Sequence, residues 1–228
     1  MFKTIQMEQE IKQRWATKRN AIYNLKNNLE RLKRRVKIDL YSPDEKDRIT
    51  ALIVRTMLNT SERIGNEESA SNGHFGITQF KKNHVKVLGN RIKLNYVGKS
   101  GVEHDKDFSC PITAQLLKKL RIRNNEFIFT TEDGFRIRPD RVNRYLKQFD
   151  VKSKDIRGFN ANRMMVLELN RIGKVTEEKA RPKVFNAALR KIAERIGHGA
   201  PTLRKHYLLP EIEENFYRTG SIGRIKLD

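Results

Sequence analysis

The spacing of apolar residues changes from a helical to an alternating period near Val85, and this change constrains the fold more than any other feature. Before it, apolar side chains recur at intervals of three, four or seven over residues 5–38, which predicts one long helix. Apolar and polar residues alternate over residues 85–108, with turn residues at Gly89-Asn90 and Gly98–Gly101. The sequence therefore predicts a mostly α-helical protein with one small antiparallel β-meander, an α+β fold.

Turn and cap residues place the other helices. Ser42 is a candidate N-cap, Pro43 suits the first turn and Glu45 completes a capping box, so a helix is expected from there to about residue 60. A short helix and a loop are expected over residues 61–76. Later helices are predicted from Pro111 and over about 139–149, 160–172, 181–196 and 201–208.

The charge balance indicates a polyanionic partner. The chain has 48 Lys and Arg against 27 Asp and Glu, a net charge of +21. Such an excess suits nucleic acid, whereas basic residues spread along the whole chain argue against a membrane surface. Cys110 is the only cysteine, which excludes an intrachain disulfide and fits a reducing intracellular compartment, whether nucleus, nucleoid or virion. No signal peptide, membrane-spanning stretch or Walker loop is apparent, so neither membrane insertion nor ATP use is expected.

The predicted first helix combines its apolar stripe with many cations. Two interpretations stay open: a helix packed on the body with solvated basic side chains, or a helix whose basic face contacts DNA. Its cations are Lys12, Arg14, Lys18, Arg19, Lys26, Arg31, Lys33, Arg34 and Arg35.

The segment His198–Tyr207 (HGAPTLRKHY) carries the strongest chemical signal. A phenol is mostly protonated at neutral pH, but neighbouring cations favour the phenolate, which can attack a phosphodiester. Residues 204–206 (RKH) directly precede Tyr207. Gly197 is expected to end a helix and leave His198 at a sharp turn. Tyr207 is thus either a nucleophile that joins the protein to DNA or a tyrosine packed on the core of a basic binding module.

Four cations upstream lie in settings that suit phosphate binding. Lys154 and Arg157 come just before a predicted helix, where backbone amides favour phosphate. Lys99 occupies a Gly-Lys-Ser-Gly turn, from which a lysine can reach a DNA groove and protonate a leaving oxygen. Arg63 precedes Gly65, which permits close approach of the backbone. Each of these residues, taken alone, is also typical of a solvated surface turn.

Taken together, these residues resemble type IB DNA topoisomerases, particularly the compact poxvirus-like and bacterial kind. The matching segments are SERIGNEESASNGHFGIT around Arg63, NYVGKSGVEH around Lys99, KDIRGFNANR around Arg157, and RIGHGAPTLRKHY, which ends at Tyr207. The resemblance extends from about residue 43 to residue 208. It departs from the family pattern after Arg157, where Gly158-Phe159 stands in place of the usual Thr and aromatic residue.

The resemblance implies a role for five residues in a reaction that needs neither metal nor ATP. Tyr207 is implied to attack the scissile phosphodiester and form a 3′-phosphotyrosyl link, while Lys99 protonates the departing 5′-oxygen. Arg63, Arg157 and His198 are implied to contact the non-bridging oxygens, where preplaced cations stabilise the transition state.

The resemblance also implies DNA-binding residues and a domain plan. Lys154 matches a position that contacts phosphate, and we expect Arg204 and Lys205 to contact DNA as well. The expected partner is double-stranded DNA, with no cofactor, and the expected state is a monomer. We expect a basic helix over residues 1–40, a catalytic domain over 41–218 and a C-terminal tail over 219–228.

Other functions stay open at this point. A tyrosine recombinase or integrase has a similar catalytic fold, but commonly carries His three residues before the Arg, where this chain has Lys154. A non-catalytic DNA-binding protein of the same fold is the other alternative. Family members usually carry a separate N-terminal domain that closes over DNA. Either the chain is a catalytic-domain fragment, or its basic first helix is used in place of that domain.

Overall fold

A computed structural model describes the backbone of residues 2–227 and the side chains of residues 9–227. The chain forms two compact units. The middle unit comprises Asn28–Arg157, and the terminal unit comprises the chain up to Asn27 together with the chain from Gly158 onward. The predicted division at residues 40 and 218 stays a prediction.

The described residues are mostly helical, with one three-stranded sheet, so the predicted fold class is confirmed. The helices are α1 (Phe2–Asp39), α2 (Glu45–Thr60), α3 (Glu67–Ser71), α4 (Pro111–Arg121), α5 (Pro139–Lys147), α6 (Ser153–Ile172), α7 (Arg181–Ile196), α8 (Ala200–His206) and α9 (Pro210–Thr219). The strands are β1 (Val85–Leu88), β2 (Arg91–Val97) and β3 (Glu103–Ser109). None of the described helices is long and apolar enough to cross a membrane.

In the middle unit, α2 packs against α4, α5 and β3. This helix buries an almost continuous apolar run that includes Leu52, Ile53 and Met57. Its N-cap is Asp44, whose carboxylate accepts bonds from the amides of residues 46 and 47, so the prediction of Ser42 as the cap was wrong. The helix begins two residues later than a cap at Ser42 would require, so the capping position falls on Asp44.

The sheet is an antiparallel meander in the order β1-β2-β3, as predicted. Alternation along β2 buries Ile92, Leu94 and Tyr96. Tyr96 pairs with His104 on β3, and Leu94 pairs with Lys106. Because residues two apart share a face, His104 and Lys106 point to the buried side together.

In the terminal unit, α7 packs against α8 and α9 around Phe185, Ile192 and Phe216. The α7 helix ends at Gly197, whose φ of 79° lies in the left-handed region, as predicted. Two features differ from expectation. The α6 helix begins at residue 153 rather than about 160, and α9 was not predicted.

Candidate functional site

Arg63 lies in a segment, residues 60–64, that begins at the last residue of α2 and is anchored by hydrogen bonds to its backbone carbonyls. These bonds run from Lys106 Nζ to Thr60 O (3.2 Å), from Arg157 Nη1 to Ser61 O, from the Ile77 amide to Arg63 O (2.8 Å) and from Thr78 Oγ1 to Ile64 O (2.8 Å). The second residue of this segment, Ser61, is in the left-handed conformation, with a φ of 60°. The backbone that carries Arg63 is therefore fixed on both sides.

The residue before Arg63, Glu62, is the centre of a buried charge cluster. Its side chain has no exposed surface, the Tyr96 hydroxyl donates a hydrogen bond to its Oε2, and Lys106 Nζ lies 2.9 Å from its Oε1. Burial lowers the pKa of Lys106, and the cations of Arg157 and Arg63 lower it further, while Glu62 acts in the opposite direction. The Glu62 carboxylate is thus paired with one buried cation, Lys106, on which the charges of Arg157 and Arg63 also act.

His104 completes this cluster. Its ring stacks on Tyr96 with centroids 4.6 Å apart, and burial lowers the pKa of His104 to about 3, with contributions from Lys106, Arg157 and Arg63. The ring is therefore neutral at pH 7. The charges of Arg63 and Arg157 thus act on His104 as they do on Lys106.

Arg157 is buried, with 3% of its surface exposed, rather than lying in an exposed turn before a helix. It lies on the second turn of α6, and its guanidinium donates to the carbonyl of Ser61. Lys154, one turn earlier on the same helix, is exposed. The structure thus connects Arg157 to the backbone two residues before Arg63, but leaves Lys154 at the surface.

Lys99 lies in a tight 3-10 turn, Lys99–Gly101, between β2 and β3. The turn is closed by a bond of 2.7 Å from the Gly98 amide to the Val102 carbonyl, and Ser100 has a φ of 62°. Lys99 is exposed, as expected for a side chain that reaches out from a hairpin.

In the terminal unit, the rings of His198 and Tyr207 lie with centroids 4.8 Å apart. The His198 amide donates to the Ala193 carbonyl (2.8 Å), which closes the turn after α7 and directs the chain into α8. Tyr207 directly follows α8 and is half-buried. The predicted pairing of a histidine at a turn with a tyrosine nine residues later is thus a direct ring contact.

A buried asparagine holds the backbone at Tyr207. Asn162 on α6 donates from Nδ2 to the Tyr207 carbonyl (2.8 Å), and its Oδ1 accepts from the Leu209 amide (2.7 Å). These two bonds fix the connection between α8 and α9. Asn162 was not among the predicted site residues, because an asparagine within a helix carries no signal of its own.

The two remaining predicted DNA-binding residues lie on α8 and differ in their surroundings. Arg204 donates to Asn186 Oδ1 and forms an ion pair with Glu213 (3.2 Å). Lys205 is exposed.

The structure thus connects Arg157 to the backbone two residues before Arg63 in the middle unit, and brings His198 and Tyr207 into contact in the terminal unit. Convergence of these two pairs stays a prediction. Glu62 and Lys106 were not among the predicted site residues, although a lysine at an inward-facing position of β3 was an available signal. Within residues 9–227, no group of three or more His, Cys, Asp or Glu side chains could hold a metal ion.

Comparison with known proteins identifies the class. The family model described as the eukaryotic DNA topoisomerase I catalytic core matches residues 8–213, and the chain belongs to this family. This match confirms the resemblance to type IB topoisomerases drawn from the motifs. The chain is also 27% identical over 179 residues to DNA topoisomerase 1B of Acanthamoeba polyphaga mimivirus. That alignment covers 72% of this chain and 53% of the viral protein, so the chain spans about half the length of this relative.

Proposed function

We propose that the protein is a type IB DNA topoisomerase that relaxes supercoiled DNA by transient cleavage of one strand, without ATP or a metal ion. Family membership supports this assignment. The observation that carries it is the contact between the His198 and Tyr207 rings. It sets a phenol beside an imidazole that can bind phosphate, at the end of a basic helix.

In the proposed reaction, the Tyr207 hydroxyl gives up its proton to solvent and its oxygen attacks the scissile phosphorus. The bond from phosphorus to the 5′-oxygen breaks, a 3′-phosphotyrosyl bond forms, and Lys99 gives a proton to the departing 5′-oxygen. Its exposed position on a short turn suits a group that must reach into bound DNA. After the strand has rotated, the 5′-hydroxyl attacks the phosphotyrosine and the steps reverse. The energy of the phosphodiester is retained in the covalent link, so resealing needs no other source.

Arg63, Arg157 and His198 are proposed to contact the non-bridging oxygens. Negative charge on these oxygens grows in the transition state, and each donor placed in advance contributes about 10²–10³-fold to the rate. The bond from Arg157 to the Ser61 carbonyl fixes the guanidinium in place before DNA binds. This arrangement favours the transition state because no reorganisation is needed at the moment of reaction.

Lys154, Arg204 and Lys205 are proposed to contact DNA phosphates. Lys154 and Lys205 are exposed, and an exposed lysine can form such contacts as a point charge. Arg204 must exchange its bonds to Asn186 and Glu213 for a phosphate. We therefore expect Arg204 to contribute less to affinity than either lysine.

The test is relaxation of supercoiled plasmid in EDTA without ATP, with covalent adducts detected on a denaturing gel. We expect the wild-type protein to relax supercoils of both signs and to give protein-linked DNA with a 5′-hydroxyl. Tyr207→Phe should abolish relaxation and adduct while DNA binding stays nearly intact. Tyr217→Phe, a tyrosine of the same unit that packs on Phe185 (ring centroids 5.3 Å apart), is the matched control and should keep both activities.

Three outcomes would contradict the proposal. An adduct that survives in Tyr207→Phe would remove the nucleophile. Relaxation only when paired target sites are present would point to a recombinase. DNA binding without any covalent product from the wild-type protein would leave a binding module of the same fold.

A further inference from the structure

We propose that Glu62 is a positioning residue that holds Arg63 in place for the reaction. The inference rests on the proposed function, because it assigns Arg63 to the scissile phosphate. Its basis is geometric: the carboxylate that directly precedes Arg63 is completely buried and is held by residues of two neighbouring strands.

The two partners of Glu62 tie its segment to the sheet. Tyr96 on β2 donates its hydroxyl hydrogen to the carboxylate, and Lys106 on β3 lies 2.9 Å from its other oxygen. Lys106 also donates to the Thr60 carbonyl (3.2 Å), so the same ammonium binds the chain two residues earlier. The end of α2 is therefore attached to β2 and β3 at two successive points.

A second set of bonds holds the chain after Glu62. The Ile77 amide donates to the Arg63 carbonyl, and Gly65 and Gly76 approach so closely that a Cβ on Gly76 would lie 2.4 Å from the Gly65 Cα. Only the absence of side chains at these glycines permits this packing. Arg63 thus lies between two anchors, and the origin of its side chain is fixed.

The energetics support a positional role over a purely stabilising one. A buried ion pair seldom stabilises a fold more than apolar residues of the same volume, because both ions lose their hydration. A carboxylate among cations does, however, offset the repulsion between them. Glu62 balances Lys106, so the charge of this buried ammonium does not add uncompensated to the charges of Arg63 and Arg157 that act on it.

A double-mutant cycle between Glu62→Gln and Arg63→Ala tests the inference. Glutamine keeps the shape and can still accept from the Tyr96 hydroxyl, but it loses the charge. The measurement is the single-turnover rate of adduct formation at saturating enzyme. We expect Glu62→Gln to slow this rate at least about tenfold when Arg63 is present, since a misplacement of about 1 Å costs up to about 10²-fold. In the Arg63→Ala background the same change should slow it less than about twofold.

The matched control is Glu45→Gln, at the opposite end of α2. This carboxylate pairs with Arg123 and Arg48 and accepts from the Glu132 amide, so its loss removes a similar network away from Arg63. It should leave the adduct rate unchanged in both backgrounds. Equal slowing by Glu62→Gln in both backgrounds, or no slowing in either, would overturn the inference.

Amide hydrogen exchange of the full chain without DNA measures how firmly the segment around Arg63 is held. This measurement does not depend on catalysis. Glu62→Gln should speed exchange of the Ile77 and Thr78 amides, which bond to residues 63 and 64, about tenfold. Amides in the first half of α2 should be unaffected. Unchanged exchange at both amides would overturn the inference even if the adduct rate falls. If Glu62→Gln speeds exchange but the wild-type protein forms no adduct, the proposed function is refuted. Glu62 would then anchor the segment without a role in the reaction.

Discussion

At the scale of single residues, the middle unit keeps His104 neutral. Burial excludes water from its ring, and nearby cations oppose a further positive charge. His104 is 5% exposed, and a Cβ on Gly98 would lie 2.6 Å from its Nε2, so glycine is needed for the ring to fit. Protonation would add a further cation beside Lys106, Arg157 and Arg63. The fold therefore opposes protonation of this ring far below neutral pH.

The low pKa of His104 predicts that the free energy of unfolding decreases as the pH falls. The unfolded chain binds a proton at His104 below about pH 6.5, whereas the folded chain does so only near pH 3, so stability is lost as the pH falls between these values. From pH 7 to pH 5 the loss amounts to about 2 kcal/mol. His104→Phe should lose less over that range, as measured by urea unfolding at both pH values. The exposed His206→Gln variant is the control, and an identical loss in His104→Phe and wild type would refute the prediction.

The general-acid role of Lys99 also belongs to this scale. Lys99→Ala should slow cleavage of ordinary DNA by roughly 10²–10⁴-fold, because the 5′-oxygen must then leave without a proton. On a substrate with a 5′-bridging sulfur, which leaves readily as a thiolate, the slowing should be much smaller. Lys86→Ala, an exposed lysine of the same sheet, should change neither rate. Equal slowing on both substrates would exclude proton donation by Lys99.

At the scale of elements, α6 contributes a hydrogen-bonding side chain to each of the two units. Its second turn carries Arg157, which binds the carbonyl after α2 in the middle unit. Its next turn carries Asn162, which binds the chain at Tyr207 and Leu209 in the terminal unit. A single helix thus contributes a direct bond to each of the two segments that hold a proposed catalytic residue.

We expect Asn162→Ala to lower both stability and activity. The Leu209 amide and the Tyr207 carbonyl lose their partner in a buried place, which costs about 1–3 kcal/mol per unsatisfied group. Urea unfolding measures this loss, and adduct formation under conditions where the variant is folded measures the effect on Tyr207. Asn170→Ala, an exposed asparagine on the same helix, should be neutral in both assays. A variant as unstable as predicted but fully active would show that these bonds do not position Tyr207.

The same elements show what the sequence could predict. The meander and most helix ends followed from apolar spacing and from Gly and Pro, because these signals are local. The early start of α6 did not, since Gly158 and the asparagines after it have low helix propensity and tertiary bonds outweigh that propensity. The signal for α9 was present, as Pro210 opens it and Ile212 and Phe216 are four residues apart. The pairing of Glu62 with Lys106 was beyond local reasoning, because 44 positions separate the two residues.

At the scale of the whole molecule, the net charge is +21, and some of the basic side chains that produce it are bonded within the protein itself. Five of the nine cations that the first helix was predicted to expose are bonded within their own unit. They are Arg19 to Glu211, Lys26 to the Lys226 carbonyl, Arg31 to the Gln148 carbonyl, Lys33 to Glu30 and Arg35 to Asp39. The first three of these bonds join α1 to other segments of its units, which favours the interpretation of α1 as a packed helix.

Salt dependence separates the two interpretations of α1. Each phosphate contact contributes about −0.9 to the slope of log affinity against log salt, so neutralising two phosphate-binding lysines should make that slope shallower by about 1.8. We expect this for Lys154→Gln/Lys205→Gln, measured by fluorescence anisotropy of short duplex DNA over a salt series. Lys12→Gln/Arg14→Gln removes the same net charge from α1 and should leave the slope unchanged. Equal changes of the slope in both variants would mean that DNA affinity depends on total charge. A change of the slope in the α1 variant alone would mean that the duplex binds to α1.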